Sequence, residues 1–417
     1  MLKKLLIAAL IAGSIMFAPI ASASVETYTG RGEYTMSDFE MPTVAQQRAK
    51  SNAERDAQEQ AGVFIRTRSK VENFHLTEDE IITMSAGIVK ILNVDIQPVV
   101  IDEHNFKFIA TVTVNIDTDE INRWLAKEAQ ERFELVEQNK ELRRKIEEQD
   151  KEIASLKKQS GTSTNEQDRS TLEKKFRQAD DAFLAIEKLR EGNRLTDHNE
   201  ALAAYSEAIR LDPNYAMAYN NRGYTYTELK QYDRAMTDLN RAIELDPKNE
   251  LAYNNRGRVF ARRRQYDQAI ADYNKAIELN PNYAKAYNNR GYVYDDLKQY
   301  ERAIADYTKA IELNPSFAMA YNNRGFTFIG MKNFERAILD FDKALEIKPD
   351  FDWAYNNRGN AYYHLKQYDK ALSDYSRAIE CNPNYAKAYN NRGFAYQALG
   401  ETAKAQADFD KAKSLGS

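Results

Sequence analysis

Cysteine is almost missing from this 417-residue chain, and Cys381 stands alone, which excludes a disulfide framework and any cysteine-rich zinc site. Histidine is scarce as well. His75, His104, His198 and His364 are scattered, and none has the short spacing that puts two imidazoles on one metal. Charge of one sign is also absent: 59 Lys and Arg meet 63 Asp and Glu for a net charge of −4, so no basic field draws the chain to nucleic acid. Neither Gly-x-Ser-x-Gly nor the Gly-x-x-x-x-Gly-Lys-Ser/Thr phosphate loop occurs. The expectation is a protein with no catalytic residue, no cofactor and no metal, and it is not read as an enzyme.

Only one long apolar run occurs, at the start. Lys3 and Lys4 precede an apolar stretch at 5–17, and Ala21-Ser22-Ala23 supplies a small-residue cleavage site, so residues 1–23 read as a secretory signal peptide. An uncleaved anchor is the alternative. No later stretch approaches the length of a membrane span, so no integral membrane segment is expected after cleavage. The destination would be the periplasm or cell envelope, with the extracellular space as the other choice.

Residues 24–117 read as a small α+β domain. A strand is expected at 25–36, then a helix at 43–61 whose Ala45, Ala49, Ala53, Ala57 and Ala61 form a small-residue stripe. Alternation predicts a strand at 63–74 that carries Arg66, Arg68 and Lys70 on one face. Thr77 with Glu80 is a capping box for a short helix, and strands follow at 88–101 and 105–116. The opening GRGEYTM, the segment QEQAGVFIRTRSKVEN and the closing NFKFIATVTVNID resemble the N-terminal domain of flagellar assembly protein T. That resemblance implies a docking or assembly role in a bacterial envelope.

A long helix is expected at 118–158. Leu135, Leu142 and Leu156 at d, with Ile146, Ile153 and Asn139 at a, fit a short heptad seam, which reads as a coiled coil forming a homodimer through residues 125–156. A lone charged helix is the alternative. Residues 159–170 read as a polar linker.

The remainder, 171–417, is periodic. The block Ala-Tyr-Asn-Asn-Arg-Gly begins at Ala218, Ala252, Ala286, Ala320, Ala354 and Ala388, always 34 residues apart. An aromatic, two small alanines and, in all but the last, a proline recur at fixed offsets. This resembles the tetratricopeptide repeat, which implies an all-α solenoid of stacked helix pairs. A degenerate copy at 182–215 precedes six clear ones at 216–249, 250–283, 284–317, 318–351, 352–385 and 386–417. The repeated tyrosines account for most of the 26 in the chain. In the last repeat Thr402, Gln406 and Lys413 replace apolar residues, as expected of a capped end.

Two constellations recur. Arg222, Arg256, Arg290, Arg324, Arg358 and Arg392 are each followed sixteen residues later by Asp238, Asp272, Asp306, Asp340, Asp374 and Asp408, a spacing that suggests a structural ion pair between the two helices of a repeat. Equal spacing would give the degenerate copy Lys188 and Ala204 instead. The resemblance further implies a concave groove lined by first helices, which takes a protein or peptide ligand. That would place Asn220, Asn221, Asn254, Asn255, Asn288, Asn289, Asn322, Asn323, Asn356, Asn357, Asn390 and Asn391 on the groove, their amides pairing with a peptide backbone. The other reading gives one asparagine of each pair to the solenoid itself. Around them Lys285, Tyr292, Phe326 and Trp353 vary between repeats and would carry specificity. The expected function is an exported, non-enzymatic adaptor in envelope assembly. The alternative is an assembly factor whose N-terminal domain makes the essential contact and whose repeats act as a spacer.

Overall fold

In this computed structural model the described residues are 25–37, 39–71, 76–101, 106–125, 129–160 and 166–416; the signal-peptide reading lies outside them. They form two compact units: residues up to 35 with 45–126, and residues 36–44 with 127–417. Among them no helix is long and apolar enough to cross a membrane.

The first unit holds β1 (Val25–Thr35), all but the first three residues of α1 (Pro42–Val71), α2 (Glu78–Ile88), β2 (Lys90–Val100), β3 (Phe106–Asp117) and α3 (Thr118–Leu125). The three strands form one antiparallel sheet in the order β1-β3-β2. Ala45, Ala49, Ala53, Ala57 and Ala61 are fully buried. They let α1 lie so close to β1 that a Cβ on Gly30 would come within 2.1 Å of the Ala53 carbonyl oxygen. Where a strand is expected at 63–74, α1 runs on through 63–71, and residues 72–74 lie outside the described residues. The i,i+4 stripe decides it: Ala61 leads to buried Ile65, whereas Val63, which a strand would put beside Ile65, is exposed. Arg66 therefore lies on a helix and pairs with Glu78, rather than joining a basic sheet face with Arg68 and Lys70. Thr77 and Glu80 form the capping box of α2. Ile121 and Trp124 of α3 close the core with Ile65, Ile81, Met84 and Ile116, so this unit extends past residue 117.

In the second unit α4 (Ala129–Ser160) and α5 (Glu166–Arg194) precede α6 (His198–Leu211). Helix occupies most of the expected 159–170 linker, of which 161–165 lie outside the described residues. The heptad seam is real in pattern, but it is covered within the chain: Leu142 and Ile146 share a cluster with Ile186 and Leu189 of α5, and Ile153 and Leu156 are buried. A homodimer through 125–156 would need a seam that the same chain already fills.

Six helix pairs follow: α7 (Ala216–Glu228) and α8 (Tyr232–Leu245), α9 (Glu250–Arg262) and α10 (Tyr266–Leu279), α11 (Ala284–Asp296) and α12 (Tyr300–Leu313), α13 (Ala318–Gly330) and α14 (Phe334–Ile347), α15 (Asp352–His364) and α16 (Tyr368–Cys381), α17 (Ala386–Ala398) and α18 (Thr402–Ser414). Neither helix of a pair can bury its apolar face alone, and stacking buries both. A glycine in each first helix allows the approach; a Cβ on Gly257 would stand 2.8 Å from the Tyr273 ring. The degenerate repeat obeys the same rule with a shorter turn. Gly192 faces Tyr205, three residues beyond the site that equal spacing assigns, so Glu191 rather than Lys188 takes the arginine slot. At the far end Thr402, Gln406 and Lys413 are exposed. Cys381 is half-buried, and burial pushes its thiol up, away from thiolate chemistry.

The turns inside the repeats carry strain. Lys230, Arg264, Lys298, Lys332 and Lys366 all adopt φ of 58–62°, whereas the last repeat uses Gly400 at φ 79°. Their positive charges lie just past helix C-termini, which the helix dipole favours. Lys298→Gly is expected to stabilise the array by about 0.5–1 kcal/mol in urea unfolding, relief of the left-handed backbone outweighing the lost charge. A loss of stability would show that the dipole contact dominates.

Candidate functional site

Residues at i, i+3 and i+7 of a helix share a face. In α7 these are Met217, Asn220 and Tyr224, and the pattern repeats every 34 residues. The asparagines occupy the middle of this face, and their amides are engaged within the array. Asn255 Nδ2 donates to Asn220 Oδ1 at 3.0 Å, Asn289 to Asn254 at 3.0 Å, Asn323 to Asn288 at 3.0 Å, Asn357 to Asn322 at 3.0 Å and Asn391 to Asn356 at 2.9 Å. Asn193 starts the ladder by accepting from Asn221 at 2.9 Å. Within pairs, Asn220, Asn288, Asn322 and Asn356 donate onward to their neighbours. The amides thus run from repeat to repeat in one direction, interrupted at Asn254, whose Nδ2 is buried without a partner. Asn220, Asn221, Asn254, Asn255, Asn288, Asn322, Asn356 and Asn357 are buried, while Asn289, Asn323, Asn390 and Asn391 are half-buried. Amides already bonded to one another along the array, Asn254 Nδ2 excepted, have fewer groups to offer a peptide backbone. The sequence shows the asparagines but not the 35-residue offset that joins each second asparagine to the first of the preceding repeat.

The arginines form the second network. Arg290 Nε and Nη2 donate to Asp306 Oδ2 and Oδ1 at 2.8 and 2.6 Å, and Arg222–Asp238, Arg256–Asp272, Arg324–Asp340, Arg358–Asp374 and Arg392–Asp408 repeat this fork. The third nitrogen, Nη1, reaches sixteen residues back to the preceding repeat: to Ser206, Asn240, Asn274, Thr308, Asp342 and Ser376. Each guanidinium therefore joins three helices. A polar residue recurring at 34-residue spacing was the signal for this link, and it passes unnoticed because its identity changes. Burial pushes the Asp374 carboxyl up against the opposing pull of Arg358.

What remains open on the asparagine face is mostly aromatic, with Lys387 also exposed. Tyr292 is 50 % exposed, Trp353 49 %, Phe326 and Phe394 45 %, and Tyr224 39 %. Lys285 is half-buried between them. Arg258 takes the place of the aromatic in its repeat, lying 4.9 Å from the Tyr224 ring centre and pairing with Glu228. One turn further along α11, Asp295 accepts from Thr327 Oγ1 at 2.6 Å, and burial pushes its carboxyl up. Asp296 accepts from Tyr266 at 3.2 Å. Among the described residues no group of His, Cys, Asp or Glu is arranged to hold a metal ion. The surface offers flat rings flanked by a few charges, and such rings supply contact area for a binding partner.

Comparison with known proteins bears on this architecture. Models described as "Tetratricopeptide repeat" match residues 216–249, 284–317 and 318–351, then 239–271 and 341–373, then 386–415, and one described as "TPR repeat" matches 195–230, 257–298 and 359–400. The matches join into one stretch from 195 to 415, more than half of the chain. No curated protein matches. Among solved structures, a tetratricopeptide repeat protein from Parabacteroides merdae shares 23 % identity over 57 % of this chain and 94 % of its own, with a TM-score of 0.47. MamA from Desulfovibrio magneticus shares 22 % over 40 % and 94 %, at 0.36. YrrB, described as having an unusual peptide-binding site, shares 24 % over 45 % and 96 %, at 0.35.

Proposed function

We propose a function from one premise: the chain belongs to the tetratricopeptide-repeat family. It is a repeat scaffold, and its ligand is a protein or peptide held on the first-helix face. The observation that carries this reading is the row of exposed rings at Tyr224, Tyr292, Phe326, Trp353 and Phe394, beside an asparagine ladder that keeps the face rigid. Rigid aromatics supply contact area at little entropic cost, and such residues dominate binding energy. The ladder moves the ligand's anchors from the amides to these rings. The reading extends to an exported adaptor in envelope assembly, with residues 1–23 as the export signal and the first unit as its docking module; the flagellar assembly protein T resemblance supports that extension.

Affinity capture from envelope extract with residues 24–417, beside a Tyr292→Ala/Phe326→Ala/Trp353→Ala copy, tests it. Loss of one central anchor costs about 2 kcal/mol, or about thirtyfold in affinity, so the copy is expected to lose the partner while its melting temperature holds. Equal capture by both would move the contact to the first unit. There β2 exposes Ile91, Leu92, Val99 and Val100, the observation that favours the spacer alternative.

A further inference from the structure

Register anchored on Gly192 puts Ile186 in the slot that Met217, Leu251, Lys285, Met319, Trp353 and Lys387 fill in the six repeats, six residues before the glycine. This slot shares the helix face of the exposed rings. It is open at Trp353 and closed at its first two positions. Ile186 and Met217 are buried in one cluster with Tyr215 and with Leu142 and Ile146 of α4. Lys145, on the same stretch of α4, lies 4.5 Å from the Tyr215 ring centre. Helix α4 thus packs beside the first slot and shares one buried cluster with the second, with Leu142, Ile146 and Gln149 at i, i+4 and i+7, the way an amphipathic helix lies in a receptor groove.

The fit is incomplete. A cavity of about 50 Å³ lies between α4 and the array, lined by Lys145, Glu148, Gln149, Ala182, Ile186, Asp212 and Tyr215. Tyr215 Oη and Gln149 Oε1 are buried without a hydrogen-bond partner. Unmade bonds of this kind weaken a contact. The later repeats, by contrast, are joined by the amide ladder and the arginine links.

The geometry points to α4 as an intramolecular ligand of the groove, exchangeable for an amphipathic helix of a partner protein with apolar residues at the same spacing. This rests on the groove reading above and adds the ligand's form. While α4 is seated, a partner reaches only the slots from Leu251 onward; when a competing helix displaces it, Ile186 and Met217 join the seat.

The probe is a labelled synthetic peptide of residues 135–158, titrated into the full chain and into a Leu142→Glu/Ile146→Glu variant. The variant, with its slots vacated, is expected to bind the peptide about tenfold more tightly than the wild type or better. Adding Met217→Glu to the variant removes the gain, and adding Trp353→Ala leaves it. No binding by a variant whose repeats keep their helix content overturns the proposal, as does a gain that survives Met217→Glu. Hydrogen exchange on the wild-type chain covers a variant that unfolds. Amides of α4 are expected to exchange about tenfold faster than those of α7 or more, and equal protection overturns the proposal. Failure here leaves the capture experiment standing, because that one reads Tyr292, Phe326 and Trp353.

Discussion

Asp306→Ala is expected to destabilise the array by about 3 kcal/mol, the lower end of the range for breaking a buried ion pair. Its partner Arg290 keeps less than a fifth of its side chain in solvent, so the stranded guanidinium recovers little hydration. Two of its three nitrogens lose their acceptors, and only the Nη1 bond to Asn274 and the rings of Tyr287 and Tyr294 remain. Arg290→Leu strands the carboxylate instead, at a similar cost. The double change Arg290→Leu/Asp306→Ala removes both charges, and replacing a buried pair by apolar residues is often neutral. The cycle should therefore return a coupling of about 2 kcal/mol or more, read from urea midpoints by circular dichroism. Costs that simply add would show that the fork contributes nothing of its own. A second signature separates this arginine from an ordinary pair. Because Nη1 crosses to the preceding repeat, its loss weakens the interface on which repeat cooperativity depends, so the single variants should unfold with a shallower slope.

The solenoid was legible because its period is long and its signature is dense: six copies of Ala-Tyr-Asn-Asn-Arg-Gly fix helix starts and the close-packed glycine at once. Residues 63–74 were not, because Val63, Ile65 and Thr67 alternate like a strand while Ala57, Ala61 and Ile65 continue a helical stripe, and only packing on the sheet tells which pattern wins. The site was half legible. Polar residues repeated on one face read equally as ligand donors or as a structural ladder, and the choice turns on a contact between repeats that no single repeat contains. The heptad of α4 failed for a related reason. A seam of Leu142, Ile146, Ile153 and Leu156 states that a partner exists without naming it, and Leu142 and Ile146 find theirs in α5 of the same chain.

Alkali is expected to unfold the array over a narrow range above pH 10. Burial pushes Tyr205 up to about 12, raises Tyr215, Tyr273 and Tyr375 further, and holds Tyr307 well above the usual phenol value. A phenol raised in the folded state contributes stability that is intact below its unfolded value near 10 and is lost as pH climbs through the folded value. In that window the unfolded chain has released protons that the folded chain still holds, so each tyrosine removes about 1.4 kcal/mol per pH unit. Five acting together remove about 7 kcal/mol per unit, comparable with the whole stability of a typical domain. Helix content by circular dichroism should therefore collapse cooperatively near pH 11, with the buried phenols ionising only as it does. The repeats supply the control. The slot of Tyr273, Tyr307 and Tyr375 holds Leu239 in the first repeat and Phe341 in the fourth, so it accepts a side chain without a hydroxyl. Tyr273→Phe/Tyr307→Phe should keep the fold, flatten the pH dependence by about two fifths and move the midpoint upward. A smooth tyrosinate titration centred on pH 10 with the helices intact would mean that these rings are open to water.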